Sequence, residues 1–475
     1  MLLILVMMPI VLGAASLAVP WPRVRAWLVP AGAVLHSALT AAIVIAPPPP
    51  MLDRWLTVGP LGRVIVALLS AQYLVCSFYV PAYLAARPER PSRVFCACLI
   101  ALNGTMSLVA VSHHLGLMWV GIETSTLATA PLIYFHRTPR SLEATWKYLL
   151  IGSVGIAFAL FGSFFLASAA LHGGVPTSLL FEDLVHDAAR LSRPWLHAAF
   201  VILLVGYGTK IGLAPMHTWK PDVYGEAPGI VGALLAGGMT TCAFCALLRF
   251  VQIMNAAGDG GLARAILLGF GLLSIAVAAA FMIRQRDYKR MLAYSSVEHM
   301  GIIAVGLGVG GLGTYGALLH MVNNSFGKGV LFMAAGNLHR AYGSKLAADV
   351  TGAVHRTPAS AGLLLAGFFA ITGSPPFGAF LSELAIIRAA LGSGAYWAAG
   401  LLLALLATVF IGMGAVVIRV VQGAPPPEPR RVREPVLTIV PAALCLAIVL
   451  ALGVFLPRWL DAGLRGAASF VEMRP

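Results

Sequence analysis

Apolar stretches of about twenty residues follow one another along almost the whole chain, and this pattern constrains the fold more than any other feature. A helix needs roughly 20 apolar residues to cross the hydrocarbon core of a bilayer. Of the 475 residues, 59% are hydrophobic and 11% are charged, whereas a soluble domain carries about 25% charged residues. So few charges cannot cover a water-facing surface. The sequence therefore predicts an integral membrane protein and excludes a soluble catalytic domain.

Apolar runs bounded by proline, glycine and charged residues predict fourteen membrane helices. Two of these spans are predicted to be broken helices. The seventh breaks at Pro215 and resumes as a short half-helix near His217. The twelfth contains Pro375 and Pro376 and is too long for one crossing. Backbone groups freed at such breaks need protein or water as partners at membrane depth. The spans cover residues 2–20, 25–46, 62–85, 94–112, 114–135, 142–171, 195–214, 228–252, 261–282, 289–310, 313–338, 358–391, 396–421 and 436–456.

The net charge of +14 does not indicate nucleic-acid binding, because the basic residues lie in short loops between apolar runs. With the N-terminus outside, the inner loops carry about twice as many lysines and arginines as the outer loops, as the positive-inside rule requires. We therefore predict an N-terminus on the outer side, with Lys220 near the inner surface. The only long polar connections are residues 172–194 outside and the Pro-rich segment 422–435 inside, which is predicted to be a stiff linker.

Several ionisable residues lie within or at the edge of predicted spans, where a charge is costly and asks for a reason. In the eleventh span His320, Asn324 and Lys328 recur every four residues, so they share one helical face. Lysine, glutamate and histidine side chains can each gain and lose a proton inside a protein. We therefore predict a proton relay, whose members are Glu123, Lys147, Lys210, His320, Lys328 and Glu383.

Any one of these residues, taken alone, is equally compatible with a structural ion pair between helices. Arg388 either extends to the membrane surface or pairs with Glu383. The functional interpretation is favoured by the number of ionisable residues and by the buried charge close to each helix break. The six cysteines all lie in apolar segments. Cys242 and Cys245 form a C-x-x-C pair without a second pair, which favours packed thiols over a metal or redox site.

The two breaks also predict an internal repeat. The fourth to eighth spans and the ninth to thirteenth spans each contain buried charges and one broken helix, and an odd number of helices per unit inverts the second unit. The predicted fold is all-α and integral to the membrane, with about fourteen transmembrane helices and two inverted five-helix repeats. Its regions are residues 1–90 (three N-terminal helices), 91–253 (first repeat), 260–422 (second repeat) and 434–475 (a C-terminal helix).

Three segments give the chain a resemblance to a known family. They are residues 208–228, which contain Lys210 and the run Ala214 to Asp222; residues 286–296, RDYKRMLAYSS; and residues 320–332, which contain His320 and Lys328. Over roughly residues 90–420 the sequence resembles the antiporter-like subunits of respiratory complex I, the Mrp cation/proton antiporters and the membrane-bound hydrogenases. Residues 297–301, VEHMG, and 380–383, FLSE, are similar to the hydrogenase-4 component F and formate hydrogenlyase branch.

The resemblance implies roles for the relay residues. Lys210 would be the input-side lysine, His320 and Lys328 the central relay, and Glu383 the output group; Glu123 would be the fifth-helix glutamate, with Lys147 nearby. The chain departs from the family on the eighth helix, where many members carry lysine or histidine and this sequence has Ala236 and Thr241. Some relatives also have a second histidine where this chain has Asn324. Candidate accessory residues are Thr241, Glu298, His299, Asn324 and Arg388.

The resemblance further implies a proton-translocating subunit of a membrane-bound hydrogenase-type or complex I-like redox assembly in the bacterial cytoplasmic (inner) membrane. Such a subunit carries no catalytic or redox centre. Its partners, other membrane-arm antiporter-like subunits and peripheral redox subunits, would carry nickel–iron and iron–sulfur centres. Two other functions stay open: a Na⁺/H⁺ or K⁺/H⁺ antiporter subunit of Mrp type, and a structural subunit that does not conduct because its eighth helix is uncharged.

Overall fold

The computed structural model describes residues 1–425 and 431–473, and within them the chain is almost entirely helical, with isolated β-bridges and no extended strand. Residues 426–430 of the predicted linker and residues 474–475 of the C-terminal region lie outside the described residues. The helices are α1 (Leu2–Ala18), α2 (Pro22–Ile45), α3 (Pro60–Ser77), α4 (Tyr79–Ala85), α5 (Arg93–Val111), α6 (Leu115–Ile133), α7 (Pro139–His172), α8 (Phe181–His186), α9 (Arg193–Ile211), α10 (Lys220–Glu226), α11 (Gly229–Leu234), α12 (Thr240–Ala256), α13 (Gly260–Met282), α14 (Tyr288–Val309), α15 (Leu312–Tyr342), α16 (Ala353–Arg356), α17 (Pro358–Ile371), α18 (Gly378–Gly392), α19 (Tyr396–Gln422), α20 (Val436–Val454) and α21 (Arg458–Glu472).

Every predicted span coincides with one helix or with helices joined by a short break. The twelfth span is α17 followed by α18, as predicted from its two prolines. The seventh span is α9 followed by α10, which begins at Lys220, three residues later than predicted. Within the described residues, 10 helical segments are long and apolar enough to cross a membrane by length and composition alone. The helices α6 and α15, which carry several predicted relay residues, are not among these ten.

The C-terminal region contains a helix that the sequence analysis did not predict. After α20, the short helix α21 buries Leu464, Ala467, Ala468 and Val471, which recur at the spacing of one helical face. The Glu472 carboxylate at its end accepts hydrogen bonds from other parts of the chain. Because only one face of α21 is apolar, a search for uniformly apolar runs does not detect it.

The polar centre of the molecule lies in α15, the 31-residue helix around which α14, α17, α18 and α20 pack. The helices at the periphery instead expose large apolar side chains, such as Leu150 on α7 and Ile411 on α19, which are 63% and 70% exposed. An apolar exterior with polar groups inside is the arrangement that a lipid environment favours. The fold therefore shields four of the predicted relay residues, Lys210, His320, Lys328 and Glu383, from lipid.

Candidate functional site

A capping residue fixes the start of α14, and the start determines which polar side chains the helix presents to the centre of the fold. The Asp287 carboxylate accepts hydrogen bonds from the backbone N–H groups of Lys289 (2.8 Å) and Arg290 (3.0 Å) and so caps the helix. From this start, Ser295 and His299 lie one turn apart on the same helical face. Both side chains are buried, and this face is the one that meets α15.

Contacts between α14 and α15 form the core of the site. Lys328 Nζ donates a hydrogen bond to Ser295 Oγ at 2.7 Å, and Glu298 Oε2 lies 3.4 Å from the same hydroxyl. His299 Nδ1 and His320 Nε2 are 2.8 Å apart, and their rings stack with centroids 5.0 Å apart. None of these side chains is more than 3% exposed. His320 therefore meets His299 directly, and Lys328 is linked to Glu298 through the Ser295 hydroxyl, so two of the predicted accessory residues belong to the centre of the site.

The break between α17 and α18 brings the last predicted relay residue to the same cluster. Ser382 Oγ lies 2.9 Å from His320 Nδ1, and Glu383 follows it on α18 with 8% of its surface exposed. Gly373, in the break, has a φ of +65°, and a β-carbon there would overlap the Glu383 carboxylate. The break thus needs glycine both for its left-handed backbone and for the room it leaves to Glu383.

The first half of the chain forms a second cluster around Lys210 on α9. Lys210 Nζ donates to Thr126 Oγ1 at 2.5 Å and lies 3.9 Å from Glu123 Oε2. Ser153 Oγ donates a hydrogen bond to the other Glu123 oxygen at 3.3 Å. The Lys210 ammonium group lies 5.5 Å from the centre of the Tyr148 ring. The structure therefore brings together Glu123 and Lys210, two of the predicted relay residues.

Lys147 lies in a different environment. Its ammonium group contacts Glu143 Oε1 at 2.7 Å and Asp222 Oδ2 at 2.8 Å, and its side chain is 43% exposed. Asp222 also pairs with Arg290 at the start of α14. Lys147 thus belongs to a surface ion-pair group that ties α7, α10 and α14 together, and its ion-pair partners do not include Glu123.

Lys220 is the residue whose position the sequence analysis missed. It was expected near the inner surface, but it is fully buried at the first position of α10. The preceding residue, Trp219, donates its indole N–H to the Thr209 carbonyl oxygen at 2.8 Å, which folds the chain back against the end of α9. Lys220 follows the proline break at the edge of a predicted span, and no local sequence pattern reports that this segment returns into the protein.

The eighth span is uncharged around Ala236 and Thr241, as the sequence indicates, although Arg249 is buried nearer its end, and the span is not regular. A π-helical turn, Leu235–Met239, separates α11 from α12, and such turns often occur at functional sites. Asn324 Nδ2 donates to the Ala236 carbonyl oxygen at 3.2 Å, and Thr241 Oγ1 donates to the Gly237 carbonyl oxygen at 2.6 Å. These two predicted accessory residues therefore bind backbone groups of the irregular turn.

Arg388 is the one predicted accessory residue on the exterior. It is exposed on α18, and no ion pair joins it to Glu383 in the described part of the chain. Of the two expectations for Arg388, the pair with Glu383 is not formed between the two described side chains. Cys242 and Cys245 are free thiols in buried positions.

These features define a class of protein: a multi-pass helical membrane protein with buried lysine, glutamate and histidine residues beside two broken helices. Residues 112–411 match the family model described as "NADH:quinone oxidoreductase/Mrp antiporter, TM". A hydrogenase-4 component F homolog from Methylacidiphilum infernorum (isolate V4) is 37% identical over 361 residues, which is 75% of each chain. The NADH-quinone oxidoreductase subunit N of Desulforudis audaxviator (strain MP104C) is 33% identical over 352 residues, 73% of this chain and 69% of the relative.

A solved structure agrees at the level of the fold. The Mrp complex from Dietzia sp. DQ12-45-1b contains a chain that superposes with a TM-score of 0.88 at 18% identity, covering 99% of this chain and 97% of that one. The protein therefore belongs to the NADH:quinone oxidoreductase/Mrp antiporter membrane family. It is an antiporter-like membrane subunit, and the resemblance predicted from residues 208–228, 286–296 and 320–332 is confirmed.

Proposed function

We propose that this chain conducts protons across the membrane along the buried residues of its two clusters. The observation that carries the proposal is the set of contacts from Lys328 through the paired histidines to Ser382. Three helices supply these groups, and all of them are buried. Buried ionisable residues in membrane proteins mark ion pathways and proton relays more often than structural contacts.

The chemistry of the groups suits proton transfer. His320 contacts His299 through Nε2 and Ser382 through Nδ1, so the imidazole can take up a proton on one nitrogen and release one from the other. Serine hydroxyls both donate and accept hydrogen bonds. Glu383, next to Ser382 and beside the helix break, would then pass the proton to the membrane surface. Lys147, half exposed and paired with Asp222, would lie at the mouth of the first cluster.

We further propose fourteen membrane crossings in two inverted five-helix units, residues 91–253 and 260–422, with the N-terminus outside. The breaks after α9 and α17 occupy the same position in the two units. Glu123 on the second helix of the first unit corresponds to Glu298 on the second helix of the other. Reporter fusions to the N-terminus and to the loop after α6 test the orientation, because the N-terminus must then report the outer side and the loop the inner side.

We propose that the chain works within a larger assembly in the bacterial inner membrane. Its relatives include a hydrogenase-4 component F homolog and an NADH-quinone oxidoreductase subunit N. By analogy, other membrane-arm antiporter-like subunits and peripheral redox subunits would bind this chain. Nickel–iron and iron–sulfur centres would lie on those partners. Purification in mild detergent, followed by identification of the co-purifying subunits, tests this part of the proposal.

Proton conduction is tested in proteoliposomes that contain the chain with its co-purified subunits. A potassium gradient with valinomycin drives protons inward, and an internal pH dye records their flux. Lys210→Met and Glu383→Gln are expected to lower the flux by about tenfold or more, the effect of raising the rate-limiting barrier by about 1.4 kcal/mol. Lys345→Met is the control, because Lys345 forms a partly buried ion pair with Glu226 outside the two clusters.

The same assay separates the alternatives. Flux in Lys210→Met and Glu383→Gln equal to that of the wild type, with normal assembly, would identify a structural subunit. Proton flux that a Na⁺ or K⁺ gradient drives in the absence of valinomycin would identify an antiporter of Mrp type.

A further inference from the structure

The Lys220 ammonium group is buried, and it has no carboxylate as an ion-pair partner within the described residues. None of its surface is exposed, and its side-chain hydrogen bond within residues 1–425 and 431–473 goes to Ser296 Oγ at 3.3 Å. One neutral hydroxyl does not replace the hydration that a buried ammonium group loses. Lys289 shows the structural alternative: it is buried to the same extent, but it donates to the Ala227 carbonyl oxygen at 2.7 Å. The placement of Lys220 therefore needs another reason.

The two helix breaks hold an ionisable side chain in the same manner. Gly212 follows α9 with a φ of +76°, and a β-carbon there would overlap the Lys220 side chain. Gly373 follows α17 with a φ of +65°, and a β-carbon there would overlap the Glu383 carboxylate. In each half, a glycine in the left-handed region makes room for one ionisable group on the helix that resumes after the break. Lys220 thus packs against the glycine of the first break as Glu383 packs against the glycine of the second.

Lys220 also reaches the second cluster. Its partner Ser296 follows Ser295 in the sequence. Ser295 accepts the hydrogen bond from Lys328. Lys328 is the charged side chain whose field acts on Lys220. Two ammonium groups so placed repel each other, so a proton on one favours release of the proton from the other.

Two buried tyrosines lie beside the two lysines: the centre of the Tyr148 ring is 5.5 Å from the Lys210 ammonium group, and that of the Tyr224 ring is 5.8 Å from the Lys220 ammonium group. The Tyr148 hydroxyl lies near Thr126, the partner of Lys210, and the Tyr224 hydroxyl lies near Ser296. Neither hydroxyl makes a well-formed hydrogen bond within the described residues. Buried polar groups of this kind are usually satisfied by ordered water. The hydroxyl groups therefore mark a route on which water would join the lysine on α9 to the lysine on α10.

We infer that Lys220 is the proton carrier that joins the two clusters, in place of the ionisable residue that other family members hold on the eighth helix. The inference rests on the proposed proton conduction. A proton leaves the Lys210 ammonium group, which becomes an amine, and binds the neutral Lys220 amine through intervening water. Lys220 then releases a proton by way of Ser296 and Ser295 to the neutral Lys328 amine. Each step breaks one bond to hydrogen and forms another, and no redox partner is needed.

Three substitutions at one position test the inference in the proteoliposome assay. Lys220→Met cannot bind a proton, Lys220→Arg keeps the charge but does not release its proton, and Lys220→His can titrate. We expect Met and Arg to lower the flux by about tenfold or more, whereas His retains a measurable fraction and shifts the pH dependence of the flux. Lys289→Met, which removes an equally buried lysine with a backbone partner, is expected to keep the flux per folded protein.

The outcomes distinguish this inference from the function on which it rests. The role of Lys220 would be overturned if Lys220→Met or Lys220→Arg kept the wild-type proton flux while Lys210→Met lost it. The proposal of proton conduction would then stand. A folded Lys220→His as inactive as Lys220→Met would also overturn the role of Lys220 and reduce it to a positioning residue. If Lys220→Met does not fold, Ser296→Ala is tested instead, because this substitution removes only a hydroxyl group. Unchanged flux in that variant counts against the route.

Discussion

Replacing Gly373 with alanine should separate backbone strain from relay chemistry. A non-glycine residue in the left-handed region costs about 1 kcal/mol or somewhat more, and the φ of Gly373 is +65°. The added β-carbon would also lie 2.9 Å from the Glu383 carboxyl carbon, which is too close for two carbon atoms. Because this carboxylate is the far end of a flexible side chain, it can rotate away. The overlap should therefore displace Glu383 and add little to the loss of stability.

Gly394 provides a matched control. Its φ is +76°, and no atom lies within 4 Å of a β-carbon built there. Gly394→Ala should lose the same free energy of unfolding, about 1 kcal/mol, without moving any relay side chain. The difference in proton flux between the two alanine variants thus measures the effect of displacing the Glu383 carboxylate alone.

The assay is proton flux into proteoliposomes, normalised to folded protein, together with the unfolding midpoint in detergent. We expect the two variants to share a similar midpoint. Gly373→Ala should lower the flux by about tenfold, and Gly394→Ala should stay within about twofold of the wild type. Equal flux in both folded variants would refute the role given to the Glu383 position.

Three further substitutions probe the packing and the site. Glu472→Ala removes the acceptor of the 2.5 Å hydrogen bond from Arg264 and should lower the free energy of unfolding by about 2 kcal/mol; an unchanged unfolding midpoint would show that this contact does not hold α21. Asp222→Asn removes the carboxylate charge that pairs with Lys147 at 2.8 Å. It should cost at most about 1 kcal/mol, and the difference from the wild type should vanish in concentrated salt. His299→Phe keeps the ring stacking but loses both ring nitrogens, so flux should fall about tenfold in a protein that still folds, and wild-type flux would exclude this histidine from the route.

The sequence by itself determined where the helices lie and where two of them break. Both signals are local: apolar runs report residues that leave water, and prolines remove the backbone donor that a continuing helix needs. The residues 208–228, 286–296 and 320–332 were also sufficient to place the chain in its family. The helix α21 was missed because only one of its faces is apolar.

The tertiary structure decided which charges meet. The family resemblance placed Lys147 near Glu123, but α7 and α10 converge and pair Lys147 with Asp222 instead. The sequence analysis placed Lys220 at the edge of a span near the inner surface, yet the turn after Gly212 returns its side chain to the interior beside Ser296. Hydropathy describes one helix at a time, whereas the partner of a buried charge is set by helices distant in the chain. For this reason the sequence could list the ionisable residues, and only the packing could show that a lysine lies between the two clusters.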